Sequence, residues 1–214
     1  SAARELRDQI IQQHPELTIY LSGMAMMNNT FSESALSDSS TLVPLMFIVV
    51  IVCIGLLIRT ISGTLATLII IVGSIAGAMG LAGWSGMYLT GPSASAPTVI
   101  LTLAVADCVH ILATLYHEMR QGVGKHQAML NSLKINFKPI LLTSVTTTIG
   151  FLTMNFSDSP PFADLGNIVA IGVMLACVLS MTLFPALLML LPLRAGGPQQ
   201  SRRNPMEHLA TFVI

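Results

Sequence analysis

Residues 97–115 read PTVILTLAVADCVHILATL, an apolar run whose only acidic residue is Asp107. Its length is close to the ~20 residues with which a helix crosses the hydrocarbon core of a bilayer. A carboxylate at the centre of a bilayer costs about 3 kcal/mol on insertion scales, and such residues normally face the interior of a helix bundle. We therefore predict a membrane-spanning helix in which Asp107 lies near the middle and is covered by other helices.

The composition of the whole chain is that of a membrane protein. Hydrophobic residues make up 53% of the 214 residues and charged residues only 9%, whereas a soluble domain carries about 25% charged residues. Only helices and closed barrels satisfy the backbone in lipid. The sequence therefore predicts an all-α membrane bundle over residues 41–192. Its five transmembrane helices are Leu42–Ile58, Thr64–Tyr88, Pro97–Leu115, Pro139–Phe156 and Asn167–Pro192.

The basic residues predict the orientation of this bundle. After residue 40, every Lys and Arg is Arg59 or lies in the connection 116–138 or the tail 193–214. The other connections carry none. Because Lys and Arg are enriched in cytoplasmic loops, we expect the N-terminus outside and the C-terminus in the cytoplasm.

The flanking segments are more polar. In residues 1–40, Ala2–Gln13 is predicted as an amphipathic helix and Leu17–Leu21 as a strand, which indicates the end of an extracytoplasmic α+β domain. Ser32–Ser40 fits either a loop or a helix that runs into the membrane. Residues 193–214 are predicted to be a cytoplasmic linker toward a further transmembrane helix.

A further helix is predicted over residues 127–138. Its apolar residues recur at helical spacing, with lysines opposite: Met129, Leu130, Leu133 and Phe137 against Lys134 and Lys138. This pattern indicates an interfacial helix on the cytoplasmic face, although a helix packed on the membrane domain fits equally well.

The prolines predict helix boundaries. Pro97 and Pro139 are expected at helix starts, where a missing N–H costs least. Pro185 should kink the fifth segment, because proline cannot donate the backbone hydrogen bond within a helix.

Asp107 begins a stripe of polar residues along one helix face, with His110 at i+3, Thr114 at i+7 and His117 at i+10. An acid and a histidine one turn apart can exchange a proton and titrate as a coupled pair. We predict a proton relay of Asp107 and His110, lined by Thr114. A neutral carboxyl that only fixes helix packing, and a histidine that only bonds a neighbouring helix, are the alternatives.

Hydroxyl groups cluster in the fourth segment, where Thr143, Thr146 and Thr147 are candidates for lining the relay. Hydroxyls at membrane depth also bond back to their own helix without any function. In the second segment, Gly73-x-x-x-Gly77 indicates close helix packing.

Other classes of site are poorly supported. Cys53, Cys108 and Cys177 lie within apolar runs and are interpreted as small buried residues rather than disulfides or metal ligands. No nucleophile with a base and no phosphate-binding loop is present. A formal net charge of zero gives no basic surface for nucleic acid. We expect no enzyme activity, no cofactor, no metal and no nucleic-acid partner.

Several short motifs occur in order along the chain: Val105–His110, Tyr116–Glu118, Leu142–Leu152, Ser157–Gly166, Ile171–Val173 and Leu183–Leu188. Together they resemble the resistance–nodulation–division (RND) superfamily, in its MMPL-like and sterol-sensing-domain-like branch of exporters. The resemblance covers about residues 17–214.

The resemblance implies a transporter of two similar halves, each with six helices and a porter-like extracytoplasmic domain between the first two. The chain is similar to helices two to six of the first half, and residues 1–40 correspond to the end of the porter-like domain. In the family, acids on the fourth helix relay protons, and Asp107 matches that position. Many members place tyrosine after the acid, whereas this chain has Cys108.

The expected function is therefore the export of a lipid or other hydrophobic substrate from a bacterial inner membrane, driven by the proton gradient. Expected partners are membrane lipids, the second half of the same chain, and a homo-oligomer or periplasmic adaptor. A sterol- or lipid-sensing or scaffold module without proton flux is the alternative. A half without function in proton transfer, with the working acids elsewhere, is a third.

Overall fold

The computed structural model describes residues 2–58, 60–87 and 89–192. They form seven α-helices: α1 Ala2–Gln13, α2 Met24–Ile58, α3 Ile61–Trp84, α4 Ala96–Arg120, α5 Lys125–Leu152, α6 Pro160–Met181 and α7 Leu183–Leu190. Short 3₁₀ turns at Ser93–Ser95 and Thr153–Phe156 join α4 and α5 to their neighbours. No strand occurs in these ranges, so the all-α prediction for the bundle is confirmed.

Among the described residues, four helical segments are long and apolar enough to cross a bilayer: Ile61–Trp84, Ser93–Arg120, Lys125–Phe156 and Pro160–Leu190. They correspond to the second to fifth predicted segments. The first predicted segment, Leu42–Ile58, is helical as the end of α2. Its described apolar part is the shorter stretch Val43–Val52.

The N-terminal region differs from the prediction. The strand expected at Leu17–Leu21 is wrong, because these residues lie in an irregular connection between α1 and α2. A strand requires a neighbour to accept and donate its backbone hydrogen bonds, and the described residues provide none. Ser32–Ser40 is part of α2, so the helical alternative for this stretch is confirmed. The predicted linker 193–214 lies outside the described residues.

Two of the proline predictions hold and one fails. Pro97 lies in the first turn of α4, as expected. Pro139 lies inside α5, so the predicted helix start there is wrong, and residues 127–138 are not a separate interfacial helix. Membrane helices tolerate an internal proline, because neighbouring groups can bond the freed carbonyl. The fifth segment is interrupted at Thr182, between α6 and α7. Pro185 has no backbone N–H and therefore cannot donate to the carbonyl of Met181, four residues earlier.

Helix α6 occupies the centre of the bundle and packs against α3, α4, α5 and α7. Its glycines permit this contact. A Cβ on Gly172 would lie 2.3 Å from Ile100 Cδ1 of α4, and one on Gly166 would lie 2.3 Å from the carbonyl oxygen of Phe151. A Cβ on Gly77 would lie 3.0 Å from Leu175 Cδ1. The last contact supports the packing interpretation of Gly73-x-x-x-Gly77.

One end of the bundle, which we call the basic end, joins the starts of α3 and α5 to the ends of α4 and α7. Thr60 Oγ1 and Tyr116 Oη are 2.7 Å apart, and Ser62 Oγ donates to the Pro192 carbonyl at 3.0 Å. Lys125 Nζ donates to the carbonyls of Met189 and Leu191 at 3.0 and 2.8 Å. Arg120 and Lys125 flank the described connection between α4 and α5 at this end. That this end faces the cytoplasm stays a prediction.

The close approach of α6 can be tested by adding one methyl group. Gly166→Ala should lower the free energy of unfolding by about 1–3 kcal/mol, because the new Cβ meets a backbone oxygen that cannot move alone. Gly80→Ala is the matched control, since its Cβ would meet nothing within 4 Å. Thermal unfolding of the two variants in detergent should separate them. Equal stability of both variants would contradict the observed packing.

Candidate functional site

Asp107 lies near the middle of α4, about 16 Å along the axis from Ala96. The helix forms because Pro97 initiates it and an apolar run without glycine or a further proline follows. Gly122, at φ +87°, follows its last turn. The Asp107 side chain is 8% exposed. The prediction of a covered acid at mid-helix is therefore matched by its position in the fold.

Four helices contribute side chains around this acid. The Asp107 carboxylate interacts electrostatically with the thiols of Cys108, on its own helix, and Cys177, on α6. Ser144 of α5 lies beside Cys177, and Thr67 of α3 lies beside Cys108. The Thr67 hydroxyl itself donates to the Gly63 carbonyl of its own helix at 2.9 Å. All four neighbours are buried. The site is thus a small, weakly polar pocket of thiols and hydroxyls around one carboxyl group.

Within the described part of the chain, Asp107 makes no side-chain hydrogen bond. A buried polar group without a partner costs about 1–3 kcal/mol of stability. A carboxyl that served only to fix helix packing would be expected to bond a neighbouring helix. No hydrogen bond of Asp107 to a described residue therefore fixes the packing of these helices, and an acid at this depth is typical of a functional group.

The other members of the predicted stripe are placed differently from Asp107. His110 is exposed on α4 and makes no hydrogen bond to Asp107. Its carbonyl accepts a bond from Thr114 Oγ1 at 3.1 Å. His117 is exposed, and its Nε2 lies 2.8 Å from Gln121 Nε2. No hydrogen bond joins Asp107 and His110, and their joint relay role stays a prediction.

Two threonines of α5 bond back to their own helix, which is one of the two interpretations that the sequence left open. Thr143 and Thr146 are exposed, and each donates to carbonyl oxygens of its own helix at 2.8–3.0 Å. Thr147 is half-buried. The hydroxyl that reaches the pocket is that of Ser144, one residue after Thr143. A lining role for the three threonines stays a prediction.

The apolar residues predicted to lie on one face of residues 127–138 divide in the structure, since Met129 is buried and Leu133 packs against the same core cluster. The apolar residues Leu130 and Phe137 are exposed, Phe137 by 51%. The buried face also carries Ser132, Asn136, Ile140 and Ser144, spaced four residues apart. In lipid, apolar side chains face the hydrocarbon and polar ones seek partners inside the bundle. The four-residue spacing of small and polar residues was the available signal for this face.

The arrangement suits the binding of a proton better than the binding of a metal. Among the residues that the structure describes, no group of three or more His, Cys, Asp or Glu side chains could hold a metal ion. A lone carboxyl in a pocket of low polarity can alternate between a neutral and a charged form. The two forms differ greatly in their cost within a membrane.

The sequence matches the MMPL family over residues 1–209. The chain belongs to the MMPL family. Two membrane proteins are similar to shorter parts of this chain. MJ1562 of Methanocaldococcus jannaschii, named as a membrane protein, is 29% identical over 114 residues, or 53% of this chain and 29% of the relative. ActII-3 of Streptomyces coelicolor, also named as a membrane protein, is 27% identical over 107 residues, or 50% of this chain and 15% of the relative.

Membership in the MMPL family identifies the chain as a multi-pass membrane protein of transporter type. The predicted resemblance to MMPL-like exporters is thereby confirmed at the level of the family. The matched region spans under a third of either relative's length.

The cost of the unpartnered carboxyl gives a stability test. Asp107→Asn should leave the unfolding midpoint unchanged, because no side-chain hydrogen bond to a described residue is lost. Ser132→Ala should lower the free energy of unfolding by about 1 kcal/mol, because it deletes the buried bond to the Ile111 carbonyl. Thermal unfolding in detergent measures both. A lower midpoint for Asp107→Asn than for Ser132→Ala would contradict this description of the site.

Proposed function

We propose that this MMPL chain is part of an RND-type exporter of a lipid or other hydrophobic substrate, driven by the proton gradient across a bacterial inner membrane. The observation that carries the proposal is Asp107, a buried carboxyl without a hydrogen bond to the described residues, at the middle of a membrane-spanning helix. The family match supports a transporter. The acid supports protons as the driving ion.

The physical argument concerns charge in a medium of low dielectric constant. The charged form of a mid-membrane acid costs about 3 kcal/mol on insertion scales, and moving one charge through 100 mV is worth about 2.3 kcal/mol. These energies are similar. Loading and release of one proton can therefore bias the helices between two packings, provided that each form of Asp107 favours a different one. The convergence of α3, α4, α5 and α6 on the acid gives all four helices a direct response to its charge.

The orientation and partners follow from the exposed groups. We infer that the basic end faces the cytoplasm, because Lys and Arg are enriched on that side of membrane proteins. His110 is polar, exposed and one turn from Asp107 on α4. A polar side chain at this depth should face protein or water rather than lipid, and we assign it to contact with the second half of the same transporter. Membrane lipids, a homo-oligomer or a periplasmic adaptor are further partners of this proposal.

The proton role can be tested with a neutral replacement of the same shape. In the full-length protein, Asp107→Asn should reduce gradient-driven export to the level of vesicles that lack the protein. Asn is easier to insert than a carboxylate, so the amount of protein in the membrane should not fall. Export of the lipophilic dye Nile red from inverted vesicles, with and without an uncoupler, measures the effect. Asp158→Asn, an exposed acid in a connection, is the matched control.

Two results would overturn the proposal. Export that persists at the wild-type rate in Asp107→Asn and still stops with the uncoupler would place the working acid elsewhere. Export that is insensitive to the uncoupler in every variant, together with altered lipid binding in Asp107→Asn, would favour the lipid-sensing module.

A further inference from the structure

Helices α4 and α5 share a polar contact that the apolar character of both spans does not predict. Asn136 Nδ2 donates to Thr114 Oγ1 and to the Ser132 carbonyl, each at 2.9 Å. Ser132 Oγ donates to the Ile111 carbonyl of α4 at 2.7 Å. Ser132 is fully buried and Asn136 is 8% exposed. We call Thr114, Ser132 and Asn136 the α4–α5 seam.

The seam continues to the basic end through further polar side chains. Glu118 lies one turn beyond Thr114 on α4, and its Oε2 accepts from Asn131 Nδ2 at 2.8 Å. Asn131 Oδ1 in turn accepts from Gln127 Nε2 at 3.0 Å. Polar contacts between α4 and α5 therefore extend from the seam to the end of the bundle, where these side chains become partly or fully exposed.

In the other direction the seam stops short of Asp107. Thr114 and Asp107 are seven residues apart on α4, about 10 Å along the axis. The buried side chains of Ile111 and Ile140 lie between the two levels and pack in one apolar cluster with Cys108. Ser144, the next residue of the buried α5 face beyond Ile140, already belongs to the Asp107 pocket. Two isoleucines thus separate a polar seam from the acid.

We propose that the α4–α5 seam is the water-lined route by which protons pass between Asp107 and the basic end, and that Ile111 and Ile140 form its barrier. A water molecule at such a site needs two to four polar partners. Asn136 Oδ1 makes no hydrogen bond to a described residue, and the hydroxyls of Thr114 and Ser132 keep lone pairs for further bonds. When the barrier opens, the Asp107 carboxyl gives its proton to water, and a carboxylate remains. This inference rests on the proposed function of Asp107.

Accessibility of the seam to water is the first test. In the full-length protein, Cys53, Cys108 and Cys177 are replaced by alanine, and single cysteines are introduced as Asn136→Cys or Thr114→Cys. Phe137→Cys, next to Asn136 on the exposed apolar face, is the matched control. The probe is a small cationic methanethiosulfonate that does not cross membranes. It is added to inverted and to right-side-out vesicles.

Both seam cysteines should react from the basic end at least about tenfold faster than the Phe137→Cys control, and not from the other side. Ile140→Cys should react slowly from either side, because it lies in the barrier. Seam cysteines that react no faster than the control, or that react equally from both sides, would overturn the proposal. These rates do not depend on which ion drives export, so they test the route separately from the proposed function.

Export itself is the second test. Asn136→Leu should slow gradient-driven export of Nile red about tenfold per folded molecule, because the amide that holds water is replaced by an apolar group. Asn136→Ser should restore most of the rate. Asn155→Leu, at the opposite end of the bundle, is the control for loss of an amide pair, since Asn155 bonds Asn167 there.

The outcomes separate the route from a packing role. If Asn136 only held the helices together, Asn136→Leu would lower stability and leave export per folded molecule unchanged, and the route would be wrong. If Asp107→Asn stops export while Asn136→Leu does not, the proton-driven function is supported and the seam is not the proton route. If Asp107→Asn has no effect on export, the proposed function is wrong. The labelling rates then test only whether water reaches the seam.

Discussion

The fold depends on one constraint, which is that hydrocarbon offers no hydrogen bonds to the backbone or to polar side chains. The backbone satisfies its hydrogen bonds by forming helices, and many polar side chains face the interior of the bundle. Ser132, Asn136 and Ser144 occupy the buried face of α5, while Leu130 and Phe137 point outward. Threonines that remain outside, such as Thr143, bond the carbonyls of their own helix. Most polar side chains of the described helices thus have a partner within the protein, although the buried Thr148 Oγ1 has none.

Asp107 also departs from this pattern. It is buried and close to Cys177, yet no described residue bonds its carboxyl group. Elsewhere in the bundle, α6 approaches its neighbours closely at Gly166 and Gly172. Loosely packed helices would admit lipid or water and relieve the acid. In the proposed function, gain and loss of a proton by this carboxyl group is the step on which the gradient acts.

The predictability of each feature follows from the type of interaction that determines it. Apolar length predicted five spans, and four of them are long and apolar enough among the described residues, since hydrocarbon thickness sets this length. The missing N–H of Pro185 predicted the break in the last span. Leu17–Leu21 alternates like a strand, but pairing is non-local and the pattern contains no information about a partner. Pro139 failed as a boundary because neighbours decide whether a helix survives a proline. Cys177 was missed because only the fold brings it to Asp107, 70 positions away in sequence.

The central claim is that the carboxyl group of Asp107 gains and loses a proton inside the membrane domain. Infrared difference spectroscopy of the reconstituted full-length protein measures this directly, through the C=O stretch of a protonated carboxyl group. A change of pH on the side of the basic end should produce a carboxyl band in the wild-type protein that is absent in Asp107→Asn. A band of equal size in both proteins, or none in either, would contradict the account.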